Sequence, residues 1–290
     1  MTMIIGGNID LTTGFSVGDK LYQPEVTAAY LNSINSYSHS MVTPGYVKWQ
    51  SGKAFNGDIY YGNSASTVLG ATLVKNSKCG ASSELDFVSI GKSLKSSSCQ
   101  FAVLPPTVQV KIVKTGSLSA MTWTLSNNTL EVVTLKASDL MTMTSLFLSG
   151  DMIDFNNPPT IIINVIGATG PVVFQDLHYV FENIFLGTRN NDNVGDHRYT
   201  FRLVDKMIWN FPDTRTLTFR DLGWTGMVLA PFADIVNSHG VLHGQIFAKS
   251  FNGYNTPNND DFQINWIPFM GCLPGIDILI YISTSCPSEN

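Results

Sequence analysis

A short phrase occurs twice in the C-terminal half of the chain, eighteen residues apart. Gly226 to Ala230 reads GMVLA and Gly244 to Ala248 reads GQIFA, so each copy is a glycine, a mostly apolar run and an alanine. A third similar run, IWNF, begins at Ile208, and the corresponding positions Ile208, Val228 and Ile246 are spaced by 20 and then 18. A sequence repeat at this spacing restricts the folds that the chain can adopt.

Parallel β-helices use periods of about this size, because each coil returns one strand spacing higher and stacks equivalent side chains in a column. The glycines then mark corners where the backbone turns sharply. This interpretation predicts that Val228 and Ile246 lie over one another inside a common core. It leaves the handedness of the coil open, and a β-sandwich with two similar strands remains the alternative.

Other segments agree with an all-β fold, either a right- or left-handed parallel β-helix with one α-helix alongside. Most apolar runs are four to seven residues long and end at Gly, Asn, Asp or Ser, which is typical of short strands. The exception is residues 82–98, where Phe87, Ile90, Gly91 and Leu94 share a helical face and Ser83 is predicted as the N-cap. A second helix is predicted around Pro24–Ile34. The 290 residues are interpreted as one domain, 1–290.

Charge and motifs exclude several classes of function. The formal net charge is −5 with no Lys/Arg cluster, so neither nucleic acid nor an anionic membrane is an expected partner. Apolar segments are far shorter than the roughly 20 residues of a spanning helix, and the first residues do not resemble a secretion signal. The sequence contains no nucleophile elbow, no zinc-protease motif, no phosphate-binding loop and no dinucleotide-binding motif. No enzyme activity and no cofactor are therefore expected.

Three motifs follow one another between Lys206 and Gly253. They are an apolar-Trp-Asn-Phe-Pro run, then G-x-ϕ-L-A-P-x-A-D-ϕ, then G-x-ϕ-x-G-Q-ϕ-ϕ-A-x-S, where ϕ is apolar. Their positions are Trp209, Asn210, Phe211 and Pro212; Gly226, Leu229, Ala230, Pro231, Ala233 and Asp234; and Gly240, Gly244, Gln245, Ala248 and Ser250. With these motifs in this order, the segment closely resembles the choice-of-anchor A family. A His-Asn pair that usually follows in the family is here Asn258-Asn259, so the histidine is missing.

The resemblance implies an adhesive or structural module outside the cell, on a cell surface, wall or filament, with the layout of ice-binding-like discontinuous solenoids. Residues 19–43 and 176–205 are interpreted as insertions, and 266–290 as a divergent tail. The alternative is a lectin for wall glycans such as cellulose or chitin. An ice-binding protein or a polysaccharide-active enzyme comes third. Self-association into a homo-oligomer or polymer is also expected, because solenoid ends expose strand edges.

Several residues are candidates for ligand contact or modification. Exposed aromatic rings beside polar groups can stack on sugars, and the predicted glycan contacts are Trp49, Tyr60, Tyr61, Trp224 and Tyr254. Threonines alternate at 121–124, 141–144 and 216–218, a pattern that could form a hydroxyl array for ice. Asp192 and Asp196 could bind a hard cation, although a solvated loop is favoured. Two local disulfides, Cys79–Cys99 and Cys272–Cys286, are predicted, with free buried thiols as the alternative. Asn127 begins the one glycosylation sequon, which matters if the protein is secreted.

Overall fold

The computed structural model describes residues 3–11, 15–19, 39–54, 58–62, 67–68, 71–73, 79–81, 86–115, 118–125, 128–149, 159–175, 178–181, 184–186, 204–220, 222–238, 240–254, 262–265, 269 and 271–273. The predicted helix around Pro24–Ile34 lies outside these residues.

Within the described ranges the chain forms short strands and two helices. The helices are α1 (Phe87–Ala102) and α2 (Ala137–Leu140). The strands are β1 (Met3–Ile5), β2 (Ile9–Leu11), β3 (Phe15–Asp19), β4 (His39–Thr43), β5 (Val47–Trp49), β6 (Gly52–Ala54), β7 (Asp58–Tyr61), β8 (Thr67–Val68), β9 (Ala71–Leu73), β10 (Cys79–Ala81), β11 (Val110–Thr115), β12 (Leu118–Thr124), β13 (Leu130–Lys136), β14 (Ser145–Ser149), β15 (Thr160–Ile166), β16 (Val172–Gln175), β17 (His178–Phe181), β18 (Ile184–Leu186), β19 (Met207–Asn210), β20 (Thr216–Arg220), β21 (Leu222–Thr225), β22 (Met227–Ser238), β23 (Gly240–His243), β24 (Ile246–Tyr254) and β25 (Phe262–Asn265).

The repeated phrase forms neighbouring coils of a parallel stack. Val228 pairs with Ile246 in register, and neither side chain is exposed to solvent. The prediction of a parallel β-helix is therefore confirmed. The third copy is displaced by one residue from its predicted register, since Trp209 and not Ile208 pairs with Val228. Successive side chains of a strand point to opposite sides, so this register directs Trp209 inward and Ile208 toward α1.

Three faces enclose the core. β22 and β24 each bend, with a register shift between Ala230 and Asp234 in β22, and so contribute to two faces. The first face has the order β10-β7-β4-β1-β24-β22-β19-β15-β13. The second face includes β16, β20, β2, β5 and β8 beside the later halves of β22 and β24. The third face has the order β21-β23-β25-β3-β6-β9, and a separate sheet, β11-β12-β14-β17-β18, lies beside later coils of the chain.

The stacking order is discontinuous in the sequence. β1 pairs with β24 on one side and with β4 on the other, so the first described strand is inserted beside one of the last. From β1 the stack continues to β10, whereas the strands that follow α1 begin at the opposite end with β13 and return to β24. This is the arrangement of early coils, one helix and later coils that the resemblance implies.

Helix α1 covers the outer side of the first face. Ile90, Leu94 and Phe101 are buried against outward-facing residues of the first face, including Ile162 and Leu229. Because both sides of this face are covered, β15 is buried over six consecutive residues and its sequence TIIINVI shows no alternation of apolar and polar residues. The predicted helix is thus confirmed, although it spans Phe87–Ala102 and not residues 82–98.

The start of α1 differs from the prediction. Its N-cap is Asp86, whose carboxylate accepts hydrogen bonds from the backbone amides of Val88 and Ser89, and not Ser83, which lies outside the described residues. The Ser89 hydroxyl also donates to Asp86, and these hydrogen bonds lower the pKa of the carboxyl. A carboxylate satisfies the free amides of the first turn and interacts favourably with the helix dipole, which explains why Asp86 and not Ser83 is the cap.

Candidate functional site

Two buried asparagines fasten the C-terminal turns of α1 to the first face. The Asn210 side-chain amide donates to the Ser98 carbonyl at 2.9 Å and to Asn164 Oδ1 at 2.8 Å, while Ser98 Oγ donates to Asn210 Oδ1 at 2.6 Å. Asn164 Nδ2 donates to the Phe101 carbonyl at 2.7 Å. The Phe101 carbonyl belongs to the last turn of α1 and also accepts a hydrogen bond from the Leu104 amide, so the two asparagines add buried hydrogen bonds that fix the helix on the first face. Asn210 of the family motif therefore has a structural role.

Other motif residues also have structural roles. Trp209 lies in the core and its Nε1 donates to the Thr225 carbonyl at 2.8 Å. Gln245, which is buried, accepts a hydrogen bond from the Phe269 amide at 2.9 Å and so ties the segment after the coils to the first face. Gly226 and Gly244 both have positive φ, as predicted for corners. Ala230, Pro231 and Ala248 are buried and Pro212 is half-buried.

Asp234 and Ser250 form a polar pair at the corner between the first and second faces. They are in register on β22 and β24, and Ser250 Oγ donates to Asp234 Oδ1 at 2.5 Å. Lys249 Nζ lies 2.9 Å from Asp234 Oδ2. Burial works to raise the pKa of the Asp234 carboxyl, but the hydrogen bonds from Ser250 and Lys249 outweigh it and hold the pKa below its ordinary value. The pair holds Lys249 in place at the surface.

Beside this corner, a groove of about 340 Å³ lies between the N-terminal half of α1 and strands β1 and β24. We call it the α1 groove. Its floor is apolar and its rim carries three amines. The floor includes Ile4, Ile90, Leu94, Pro231 and Ala248, and the rim is formed by Lys92, Lys95 and Lys249. Lys95 Nζ lies 5.7 Å from the ring centroid of Phe232, a cation–π distance that holds the amine near the groove.

Gly91 also lines the α1 groove. A Cβ added at this glycine would meet no atom within 4 Å, in contrast to Gly244, where it would overlap the Gly226 carbonyl oxygen. The sequence pattern correctly predicts the side of the helix on which Gly91 lies, but it gives no sign of a groove, because the lining residues come from four separate segments of the chain. The i, i+3 spacing of Lys92 and Lys95 on one side of α1 is the signal that could have indicated it.

The predicted glycan platform is wrong for its two tryptophans. Trp49 and Trp224 are each only 1% exposed. Trp49 packs edge-on against Phe15, and Trp224 stacks on Phe174 at 5.1 Å between ring centroids. Strand register directs both rings inward, where burial of a large apolar surface outweighs any solvent-facing role.

The tyrosine pair shows the alternation that a strand requires. Tyr60 packs against the cluster under α1 and Tyr61 against the main core, so they point to opposite sides of β7. Both rings are half-buried, and the Tyr60 hydroxyl donates to Asp58 Oδ2 at 3.2 Å. Tyr254 ends β24, and its side chain lies outside the described part of the structure. The five predicted residues therefore do not form one exposed aromatic surface.

The threonines do not form a single array either. Thr122 and Thr124 lie on β12 of the separate sheet, whereas Thr216 and Thr218 lie on β20 of the second face. On the second face, the residues in register with Thr218 on successive strands are Val236, Asn252, Asp10 and Lys48. This row combines apolar, amide and charged side chains. The predicted hydroxyl array is therefore wrong for these positions.

Of the two predicted disulfides, one is absent and the other involves a cysteine outside the described residues. Cys99 lies on the exposed side of α1 with a free thiol, so the predicted Cys79–Cys99 bond is absent. The burial of Ile90, Leu94 and Ser98 against the first face turns Cys99 toward solvent. Cys272 is exposed and its backbone amide donates to Thr160 Oγ1 at 2.9 Å, and its predicted partner Cys286 lies outside the described residues.

Asp192, Asp196 and Asn127 also lie outside the described residues, so the cation site and the glycosylation site stay predictions. In the ranges that the structure describes, no group of three or more His, Cys, Asp or Glu side chains is arranged to hold a metal ion. No helix in those ranges has the length and apolarity needed to cross a membrane.

Comparison with known proteins gives a family and two remote structural similarities. A family model described as "Putative Ice-binding-like adhesive domain" matches residues 2–259. Among curated proteins, none matches. The chain is similar to the crystal structure of an ice binding protein from an Antarctic biological consortium, with 9% identity over 90% of this chain and 85% of that chain and a TM-score of 0.38. It is also similar to the competence-associated pilin ComZ from Thermus thermophilus, with 10% identity over 92% and 67% of the two chains and a TM-score of 0.23.

The family match confirms the adhesive and ice-binding-like part of the sequence interpretation. It does not confirm the choice-of-anchor A assignment, which stays a resemblance. The matched residues include every described coil except the last strand β25, together with α1. Since the match covers far more than half of the sequence, this chain belongs to the ice-binding-like adhesive domain family.

Proposed function

We propose that this chain is an adhesive domain that acts at a cell surface or outside the cell by binding a partner, without catalysis. The observation that carries the proposal is the family match over residues 2–259. A stacked β-helix with a helix fastened across one face offers rigid surfaces, which reduce the ordering cost of binding. The role in a wall or filament belongs to this proposal.

Three of the described carboxylates have structural roles, which is compatible with a binding protein. Asp86 caps α1, and Asp234 is paired with Ser250 and Lys249. Glu131 is buried and accepts a hydrogen bond from the Thr107 hydroxyl. Both aspartates with a shifted pKa titrate below the ordinary value, whereas a general acid at neutral pH requires a raised one. Each of these three groups is explained by local structure.

An adhesion assay tests the proposal. The labelled, purified domain is incubated with cellulose, chitin and wells coated with extracellular matrix protein, and the bound fraction is compared with that of unfolded domain. We expect saturable retention on at least one surface and no soluble product released from the polysaccharides. Retention on cellulose or chitin would favour the lectin, whereas product release that a single Asp or Glu substitution abolishes would contradict a non-enzymatic role.

Ice binding is the second candidate, and the family description favours it. Inhibition of ice recrystallisation by the purified domain, at concentrations where an unrelated protein is inactive, is the test. Growth of ice grains at the buffer rate, together with retention on one of the surfaces above, would leave adhesion as the function.

Self-association is part of the same proposal. The Thr107 and Val108 amides both donate to the Val132 carbonyl, so the chain itself covers part of the edge of β13. β11 is an edge strand of its sheet, with Ile112 and Val113 each 40% exposed. Unpaired strand edges of this kind can associate, and flanking lysines such as Lys111 and Lys114 weaken the association. We expect reversible dimers at high concentration by sedimentation, strengthened in Lys111→Ala/Lys114→Ala. A monomer at all concentrations for both proteins would contradict it.

A further inference from the structure

We propose that the α1 groove binds an acidic peptide segment of a partner protein, with an apolar side chain of the segment as its anchor. This inference rests on the proposed adhesive function and names the site and the chemical class of the partner. Four observations carry it: the charge of the rim, the composition of the floor, the glycine at position 91 and the rigid attachment of α1.

The rim collects positive charge on a chain that is acidic overall. The formal net charge of the chain is −5, yet three lysines and no carboxylate line the groove. Asp234 compensates Lys249 at 2.9 Å, and Asp86 attracts Lys92 from outside the groove, so Lys95 and part of the Lys92 charge attract an anion. Opposite charges across an interface accelerate association and select the partner, and rim charges retain this role in water.

The floor selects a peptide over a glycan. Among the described residues that line the groove, the side chains are apolar or lysine, and none carries an amide, hydroxyl or carboxylate. Sugar recognition needs such groups to satisfy its many hydroxyls. An apolar floor instead accepts a leucine- or phenylalanine-sized side chain, while neighbouring glutamates or aspartates reach the lysines. Apolar anchors in grooves with a polar rim are the common mode of peptide recognition.

Gly91 keeps the groove open although the fold does not require a glycine there. A glycine inside a helix is less favourable than alanine. Such a residue usually reflects a close contact or a positive φ, but a Cβ at Gly91 meets nothing within 4 Å and its backbone is helical. A side chain at this position would project into the groove. The glycine is therefore explained by the approach of a ligand backbone.

The wall that carries Gly91, Lys92 and Lys95 is fixed before binding. The amide pair Asn164 and Asn210 holds the last turns of α1, and Ile90 and Leu94 hold its first half on the first face. Lys95 is held by Phe232 and Lys249 by Asp234. A preformed groove loses little entropy on binding, which favours a measurable affinity for a short segment.

Fluorescence anisotropy with short labelled peptides tests the inference on the full chain. The probe alternates glutamate and leucine, and the control peptide alternates glutamine and leucine. We expect the wild-type domain to bind the glutamate peptide more tightly than the control. Lys92→Ala/Lys95→Ala should raise the Kd about tenfold, since each exposed ion pair contributes a modest factor, and Gly91→Leu should abolish binding by filling the groove. Lys48→Ala/Lys53→Ala removes the same charge from the second and third faces and should leave the Kd unchanged.

Four results would contradict this inference. Equal weakening by both lysine pairs would indicate a bulk charge effect, and undiminished binding by a folded Gly91→Leu would place the peptide elsewhere. Displacement of the peptide by alginate, a polymer of uronic acids, would assign the groove to an acidic glycan. A wild-type domain that adheres in the surface assay but ignores the glutamate peptide would overturn this inference and leave the proposed function intact.

Discussion

Asn210 and Asn164 are hydrogen-bonded to one another, at 2.8 Å, beneath the C-terminal turns of α1, and both side chains are fully buried. The two residues belong to neighbouring strands, β19 and β15, and are in register. Between them they bind two main-chain carbonyls of the helix. Burial of amides is favourable only when their donors and acceptors are satisfied, so the pair specifies where α1 lies.

We expect Asn210→Ala to destabilise the domain by about 3 kcal/mol, because it leaves the Ser98 carbonyl and Asn164 Oδ1 buried without this donor. Urea denaturation measures the change. Asn252→Ala, which removes an exposed asparagine from β24, is the matched control and should change the free energy of unfolding by less than about 0.5 kcal/mol. Equal effects of the two substitutions would show that the amide pair does not hold the helix.

Two glycine substitutions should have opposite effects. Gly244→Ala should lower the free energy of unfolding by at least about 2 kcal/mol, because its φ is positive and the new Cβ overlaps the Gly226 carbonyl oxygen. Gly91→Ala should raise it by about 0.5–1 kcal/mol, because alanine favours the helix and the space is open. Thermal unfolding distinguishes them. A destabilised Gly91→Ala would mean that the groove is closed.

Trp224→Ala should destabilise the domain by about 4 kcal/mol, the cost of removing a large ring from a packed core. The ring lies within 4.6 Å of Trp209 between centroids and is buried. Tyr60→Phe, which removes a half-buried hydroxyl, serves as the aromatic control with a smaller effect. If Trp224→Ala instead preserved stability and reduced binding to cellulose, the ring would be a ligand platform.

Stability should depend on the ionisation of Asp234. Its pKa is lowered in the folded state by Ser250 and Lys249, so the carboxylate contributes stability above the unfolded pKa, and this contribution is lost as the pH falls through the folded value. Asp234→Asn should therefore be less stable than the wild type at pH 7, and the difference should shrink below about pH 4. A difference that grows on acidification would contradict the assigned hydrogen bonds.

The coil stack could be predicted from the sequence because it depends on a local period. Val228 and Ile246 belong to consecutive coils, so their spacing in sequence equals one turn. Register within a coil is harder to predict, and the shift from Ile208 to Trp209 illustrates the difficulty, since a single residue reverses which side chains face inward.

The site could not be predicted in the same way. Ile4, Lys92 and Lys249 meet at the α1 groove although they are far apart in the sequence, and no periodicity connects them. The burial of Trp49 and Trp224 likewise follows from packing on three faces, which composition does not specify. The sequence comes closer for the N-cap, because its pattern identifies Asp86 as the early acid but places it inside the helix, whereas Asp86 is the cap itself.

The insertion of β1 beside β24 makes the stack discontinuous and forms one side of the α1 groove. Met3 and Ile246 are in register and neither is exposed to solvent, and adjacent parallel strands lie about 4.8 Å apart. A nuclear Overhauser measurement on methyl-labelled protein tests it directly. A cross-peak between the Met3 ε-methyl and the Ile246 δ1-methyl is the predicted result; a Met3 signal that shows contacts to Met41 but none to Ile246 would contradict the account.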